Sequence, residues 1–208
     1  MKFVVLGATG ATGLEIVRQA IDRGHQVTAL VRAPERLKEF SERITIIRGD
    51  LLNSSELQRV IAGHDAVLSG FGPRLPLSKS DHDLLRRFAV ALTGAMNATG
   101  VRRVVVESTA FLFKDSILPP VYLLGRLFFP QIVRDAGEME SIFAKSGLDW
   151  TMVRPPRLTD KPPNGPYRVR EGHLPSFGFS ASRADVAHFI IWSAEKGVSL
   201  RKVVGLSN

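Results

Sequence analysis

Three glycines near the start constrain this chain more than any other feature. The short apolar run Phe3-Val4-Val5-Leu6 is followed at once by Gly7-Ala8-Thr9-Gly10-Ala11-Thr12-Gly13, and from Leu14 the apolar positions Leu14, Ile16, Val17, Ala20 and Ile21 take helical spacing until Gly24. Strand, tight turn and helix in that order leave little choice of local structure. Glycine at positions 7, 10 and 13 permits the turn, a close approach of backbone to a ligand and close packing of helix on strand. The helix start adds free N–H groups and the positive end of a dipole, so the turn predicts a seat for a diphosphate. Gly7, Gly10, Ala11 and Gly13 bring backbone to that seat, and Thr9 and Thr12 bring hydroxyls whose alternative use is helix capping.

The same alternation continues along the chain. Strands are predicted at 2–6, 26–31, 44–47 and 66–69, with helical stretches at 35–40 and 55–62. A longer helix over 81–99 ends at Gly100 and leads into a strand at 101–107 that carries Val104, Val105 and Val106. Beyond it the pattern predicts a helix at 137–145, a strand at 149–153 stopped by Pro155-Pro156, a helix at 182–196 with Ser182 as N-cap, and a last strand at 202–205. The expected fold is α/β and doubly wound: a mostly parallel Rossmann sheet in three α/β/α layers. A length of 208 residues suits one well-buried core, so residues 1–208 read as a single domain with substrate-side elaborations at about 111–135 and 155–180. The second of these holds six of the 12 prolines and too few apolar residues for a core of its own, and reads as a small loop-rich lobe.

Composition removes several chemistries. The chain has no cysteine, which excludes disulfides, thiolate metal sites and thiol nucleophiles and makes the cytoplasm the expected address. Its net charge of +8 is spread along the sequence, and the compact pairs Arg86-Arg87 and Arg102-Arg103 have no aromatic platform beside them. No nucleic-acid partner is expected, and an anionic cofactor and substrate account for the balance. The first apolar run is too short for a signal peptide. The stretch 117–133 is the one candidate for a membrane span, but Pro119, Pro120, Arg126 and Pro130 make it a flap or a buried helix instead. His25, His64, His82, His173 and His188 lack the spacing of metal ligands, so no metal is expected.

The end of the second strand selects between dinucleotides. An acid there would accept from a ribose 2′-hydroxyl and repel a 2′-phosphate. The sequence reads Leu30-Val31-Arg32, with Arg36 and Lys38 close behind, so NADP is expected over NAD. After the third strand, Gly49-Asp50-Leu51 offers Asp50 to the adenine amino group, and after the fourth, Gly70-Phe71-Gly72 lets an adenosine lie against the sheet. Simple turn formation is the alternative for both.

Taken with Glu107-Ser108-Thr109-Ala110-Phe111 and Val153-Arg154-Pro155-Pro156, these motifs resemble the atypical short-chain dehydrogenase/reductase superfamily. Within it the chain is most similar to the flavin reductase/biliverdin-IXβ reductase group. The likeness covers nearly the whole chain, including Ser146-Gly147-Leu148 and Ser182-Arg183-Ala184-Asp185-Val186-Ala187. It implies NADPH-dependent reduction of a flat conjugated acceptor such as a flavin, a quinone or an open-chain tetrapyrrole. It also implies that Ser108 and Thr109 lie beside the nicotinamide and that Pro155 flanks the cofactor. Where the group can carry a histidine after the two prolines this chain has Arg157, which bears on the substrate more than on the hydride chemistry.

Hydride transfer belongs to the cofactor, so the protein must orient the acceptor and provide a proton. Thr109, Tyr122 and Arg126 match the spacing of the Ser, Tyr and Lys used on alcohols and ketones, though arginine cannot shuttle a proton as lysine does. Glu107 is either a site carboxylate or the end of an edge, and Phe111, Phe113, Phe128 and Phe129 are candidates for an aromatic wall or for packing. The expected activity is an NADPH-dependent reductase, and the rival is an NADP-binding redox sensor without catalysis. The oligomeric state stays open between monomer and homodimer.

Overall fold

Phe3, Val4, Val5 and Leu6 are all fully buried, so the first strand lies inside a sheet covered on both faces. The computed structural model describes residues 1–73, 83–113, 127, 129–162 and 166–208. Strand β1 (Lys2–Leu6) pairs in parallel with β2 (Gln26–Val31) on one side and β4 (Ala66–Ser69) on the other. With β3 (Thr45–Arg48), β5 (Arg103–Glu107), β6 (Asp149–Arg154), β8 (Arg168–Glu171) and β10 (Lys202–Ser207), they form an eight-stranded sheet in the order β3-β2-β1-β4-β5-β6-β10-β8. Every neighbouring pair is parallel except β8, which runs antiparallel to β10. A separate parallel pair joins β7 (Arg157–Thr159) to β9 (Ser180–Ser182).

Alternation along the strands builds two cores. Phe3, Val5 and Val105 meet Ile16, Val17 and Phe189 from α1 (Ala11–Asp22) and α5 (Arg183–Lys196). Val4, Leu6 and Val104 meet Leu57, Phe88 and Phe143 from α2 (Ser54–Ile61), α3 (Leu84–Thr99) and α4 (Pro130–Lys145) on the opposite face. The doubly wound α/β sheet expected from the sequence is therefore the observed one. The strand order reverses between β1 and β4, which opens a crevice at their carboxyl ends.

Several elements differ from the sequence reading. Residues 34–40 form a 3-10 turn rather than an α-helix, with Leu37 at a non-helical φ of −111°. Helix α4 starts at Pro130, seven residues earlier than expected, because proline suits a first helical turn that has no donor to lose. The region 155–180 contains β7, β8 and part of β9. These carry no hydrophobic periodicity because β7 and β9 have three residues each and β8, an Arg-Val-Arg-Glu edge, is exposed at every position.

Helix ends are satisfied by side chains from near and far. The Asn53 Oδ1 accepts from the N–H groups of Ser55 and Glu56 at the start of α2, and the Ser182 Oγ accepts from Asp185 N–H at 3.0 Å at the start of α5. At α3 the capping carboxylate comes from another helix: Leu85 and Arg86 donate their N–H groups to buried Asp135 of α4 at 2.8 and 2.9 Å. Arg103 of β5 plays the converse part under α5. Its guanidinium donates to the carbonyls of Asp149, Ser193 and Val198 and to the hydroxyls of Thr151 and Ser193, and burial lowers its pKa to about 10, so it stays charged. Replacing Arg103 by Met removes these charge-assisted hydrogen bonds together, although the Ser193 carbonyl keeps the Gly197 N–H and the Val198 carbonyl keeps the Ser193 hydroxyl, and urea unfolding should show a loss of about 3 kcal/mol.

Candidate active site

The crevice is a cleft of about 840 Å³ over the carboxyl ends of β1, β2, β4 and β5. Its floor is the glycine turn. Gly7 has φ +73°, and a Cβ there would come within 2.7 Å of the Phe71 backbone, so the turn after β1 lies directly against the one after β4. Gly70 returns the contact, since its Cβ would stand 3.0 Å from the Gly13 nitrogen. Gly10 N–H donates to Gly7 O at 2.8 Å, and Gly10 is the N-cap of α1 with no side-chain capping bond and no acid in the first turn. Gly7, Thr9, Gly10, Ala11 and Thr12 line the cleft. Gly13 does not: a Cβ at this position would collide with Gly7 O and stand 2.6 Å from Gly7 C, so its place is the helix-to-strand contact.

One end of the cleft is cationic. Arg32 and Arg36 line it with exposed side chains, and neither is in an ion pair among the described residues. Leu51, Gly70, Phe71 and Gly72 also line it, and Phe71 packs on Phe88 of α3 with ring centroids 4.8 Å apart and the planes tilted by 49°. Asp50 stands outside this lining: its Oδ1 accepts from Leu52 N–H at 3.0 Å, the turn-forming use of an aspartate. Pro155 is buried behind the site, where its carbonyl accepts from Ala110 N–H.

The other end is built by β5. Glu107, Ser108 and Thr109 line the cleft in succession, but alternation sends Ser108 to the α4 face and Glu107 to the α1 and α5 face. Ser108 donates to Glu140 Oε1 at 2.5 Å, and Arg154 of β6 holds the same carboxylate through its Nε at 2.9 Å. Arg154 also stands over the Phe113 ring at 4.5 Å, so this nearly buried ion pair is tied down on both sides. Thr109 Oγ1 accepts from Phe111 N–H at 3.4 Å, a long bond that starts a 3-10 turn and leaves its own proton to donate.

Glu107 ends a central strand, not an edge, and points between the starts of two helices. Burial pushes its carboxyl from 4.5 up to about 7, against the Thr12 hydroxyl of α1 and the charge of Arg183 at the start of α5, which both favour the ionised form. It is the one carboxyl in the cleft lining among the described residues. The apolar walls come from residues that sequence spacing did not single out: Leu84 and Leu85 of α3, Ile132 and Ala136 of α4, and Leu158 of β7. Ile132, Asp135 and Ala136 share a face of α4, so one turn both caps α3 and walls the cleft. Arg183 belongs to the Ser182–Ala187 motif, yet its contact with the cleft depends on the β9 to α5 junction. It pairs with Asp160 at 2.6 Å.

Other expectations fall elsewhere. Tyr122, Arg126, Phe128 and His82 lie outside the described residues. Phe113 packs with Ala110 and Leu174, and neither it nor Phe111 nor Phe129 lines the cleft. Among the described residues the aromatic ring in the cleft is that of Phe71. His25 meets Glu195, His64 meets Thr28 and His188 meets Tyr167, and no metal-binding group is present among the described residues. No helix among them is long and apolar enough to cross a membrane.

Residues 7–196 match the family model described as NAD(P)H-binding, and the chain belongs to that family of oxidoreductase-type Rossmann proteins. An uncharacterized chloroplastic protein of Arabidopsis thaliana, At2g34460, is 33% identical across 98% of this chain and 75% of its own length. The chain spans under half the length of several other curated relatives it matches. Among solved structures, a short-chain dehydrogenases/reductase of Veillonella parvula in complex with NADP superposes with a TM-score of 0.83 at 18% identity, over 100% of this chain and 94% of that one. ChuY of Escherichia coli O157:H7, named an anaerobillin reductase, gives 0.82 at 19% identity, over 100% and 97%. At that identity these two establish the shared fold.

The raised Glu107 pKa has a consequence for stability. The folded chain holds that proton more tightly than the unfolded one, so the contribution is complete below about pH 4.5 and is lost as the pH rises to about 7. Thermal unfolding of Glu107→Gln should therefore gain on wild type between about pH 5 and about pH 8, and an equal gap at both values contradicts the shift.

Proposed function

We propose that the protein is an NADPH-dependent reductase that delivers hydride to a planar conjugated acceptor of the flavin, quinone or tetrapyrrole kind. The observation that carries this reading is the make-up of one cleft: cationic at the β2 end, an uncapped helix start in the middle, a weak acid and apolar walls at the β5 end. A dinucleotide fits that sequence of environments. Gly10, Ala11 and Thr12 meet a diphosphate at the start of α1, and a side chain at Gly7 or Gly70 would close the space between the two turns. Arg32 and Arg36 hold a 2′-phosphate, and Gly70, Phe71 and Gly72 face the adenosine half. When bound, NADPH supplies the hydride.

The chain's own residues then have defined tasks. Phe71, Leu84, Leu85, Ile132, Ala136 and Leu158 give a flat acceptor apolar surface and exclude water. Thr109 can donate a hydrogen bond to the acceptor, and Glu140 with Arg154 holds Ser108 in place behind it. The reductase activity in the name of ChuY and the NADP held by the Veillonella protein support a reductase using this cofactor.

The test is direct. Wild-type protein should oxidise NADPH steadily with FMN or a quinone, and tight NADP binding without turnover on any acceptor would favour the sensor reading. Replacing Arg32 by Ala should weaken NADPH ten- to a hundredfold, roughly the worth of one charge-assisted hydrogen bond, and hardly change NADH. Equal losses for both refute the 2′-phosphate assignment. Thr109→Val should lower kcat with little change in the KM for NADPH; an unchanged kcat removes Thr109 from the site.

A further inference from the structure

We propose that the Glu107 carboxyl is the acid that protonates the acceptor during its reduction, an inference that rests on the reductase reading above. Hydride reduction of a conjugated C=O or C=N needs a proton as well. The acceptor gains a hydride from the reduced dinucleotide, its other end gains a proton, and the O–H bond of the acid breaks to leave a carboxylate that solvent reprotonates.

Elimination within the cleft leads to Glu107. Among the described lining residues the ionisable groups are Arg32, Arg36, Arg183 and Glu107. Arginine does not release a proton at working pH. Ser108 already gives its proton to Glu140, and the Thr109 hydroxyl is far too weak an acid to act alone. Glu107 is at the end of the cleft away from Arg32 and Arg36, at the tip of β5 and next in sequence to Ser108 and Thr109.

Its surroundings keep both protonation states within reach. From α5 it faces Arg183, whose charge is shared with Asp160, and from α1 it faces the Thr12 hydroxyl. From β6 the register places Val153 beside it, and the Glu140–Arg154 pair lies on the other face of the sheet and is internally neutral. Burial has moved the carboxyl to about 7, where a general acid is most effective. An anionic cofactor in the same cleft raises it further, so binding should draw in a proton.

Two measurements test this. Calorimetric titration with NADPH, in buffers of different ionisation enthalpy slightly above neutral pH, counts the protons taken up. Wild type should take up more than Glu107→Gln, by up to roughly half a proton or a little more, because a carboxyl with a pKa of about 7 is already partly protonated at that pH. With FMN as acceptor, Glu107→Gln should lose about a hundredfold in kcat, keep its NADPH affinity within about threefold, and lack the alkaline fall in kcat/KM that wild type shows above about pH 7. Glu107→Ala serves the same comparison if the glutamine protein does not fold. If the variant matches wild type in proton uptake and pH profile while wild type turns over, this inference is overturned and the reductase reading stands. If wild type gives no heat with millimolar NADPH, both fall.

Discussion

Backbone lies on backbone at the top of β1, and the rest of the molecule is arranged around that contact. The carbonyl of Gly7, Gly13 in the first turn of α1 and the turn after β4 come so close that no Cβ fits at Gly7 or Gly13. This approach sets the distance between α1 and the sheet, and so the depth of the cleft. It also leaves the start of α1 without a side-chain cap, at a point where the strand order reverses and no neighbouring strand fills the gap. An anion-binding surface follows from geometry alone, before any charged side chain is considered.

Around it the protein places charge with economy. Cations stand free at one rim, while the opposite end holds its charges in closed groups: Glu140 with Arg154 and Ser108, Arg183 with Asp160, Asp135 on the start of α3. Buried charges that are paired and hydrogen-bonded hold their neighbours in one geometry, because breaking any member strands the others. Glu107 is the exception among the described cleft residues, a carboxyl with the Thr12 hydroxyl and the charge of Arg183 for company. Burial raises its pKa, and Glu140 on the other face of the sheet accepts from Ser108 and Arg154.

The tertiary links that shape the substrate end run between elements distant in sequence. Asp135 reaches α3 from α4, and Arg103 reaches the end of α5 from β5. The first stands in for a missing local cap, and the second adds to the local Gly197 cap of α5. The walls of the cleft are thereby coupled to the packing of the helices that present them, so Leu84, Leu85, Ile132 and Ala136 hold fixed positions although they belong to two different helices.

How much of this was legible beforehand can be judged residue by residue. Local pattern determined the glycine turn, the alternation of strands and helices, the Ser182 cap and the basic end of β2, because each depends on neighbours within about four positions, where periodicity and turn chemistry act. Only the tertiary structure decided that Asp50 folds back on its own turn, that Gly13 serves packing, that Phe71 and not Phe113 is the ring in the cleft, and that Glu107 lies beside Thr12 and Arg183. Such facts depend on which faces meet across the sheet and on how much water the meeting excludes, and desolvation is a property of three-dimensional surroundings that no linear spacing encodes.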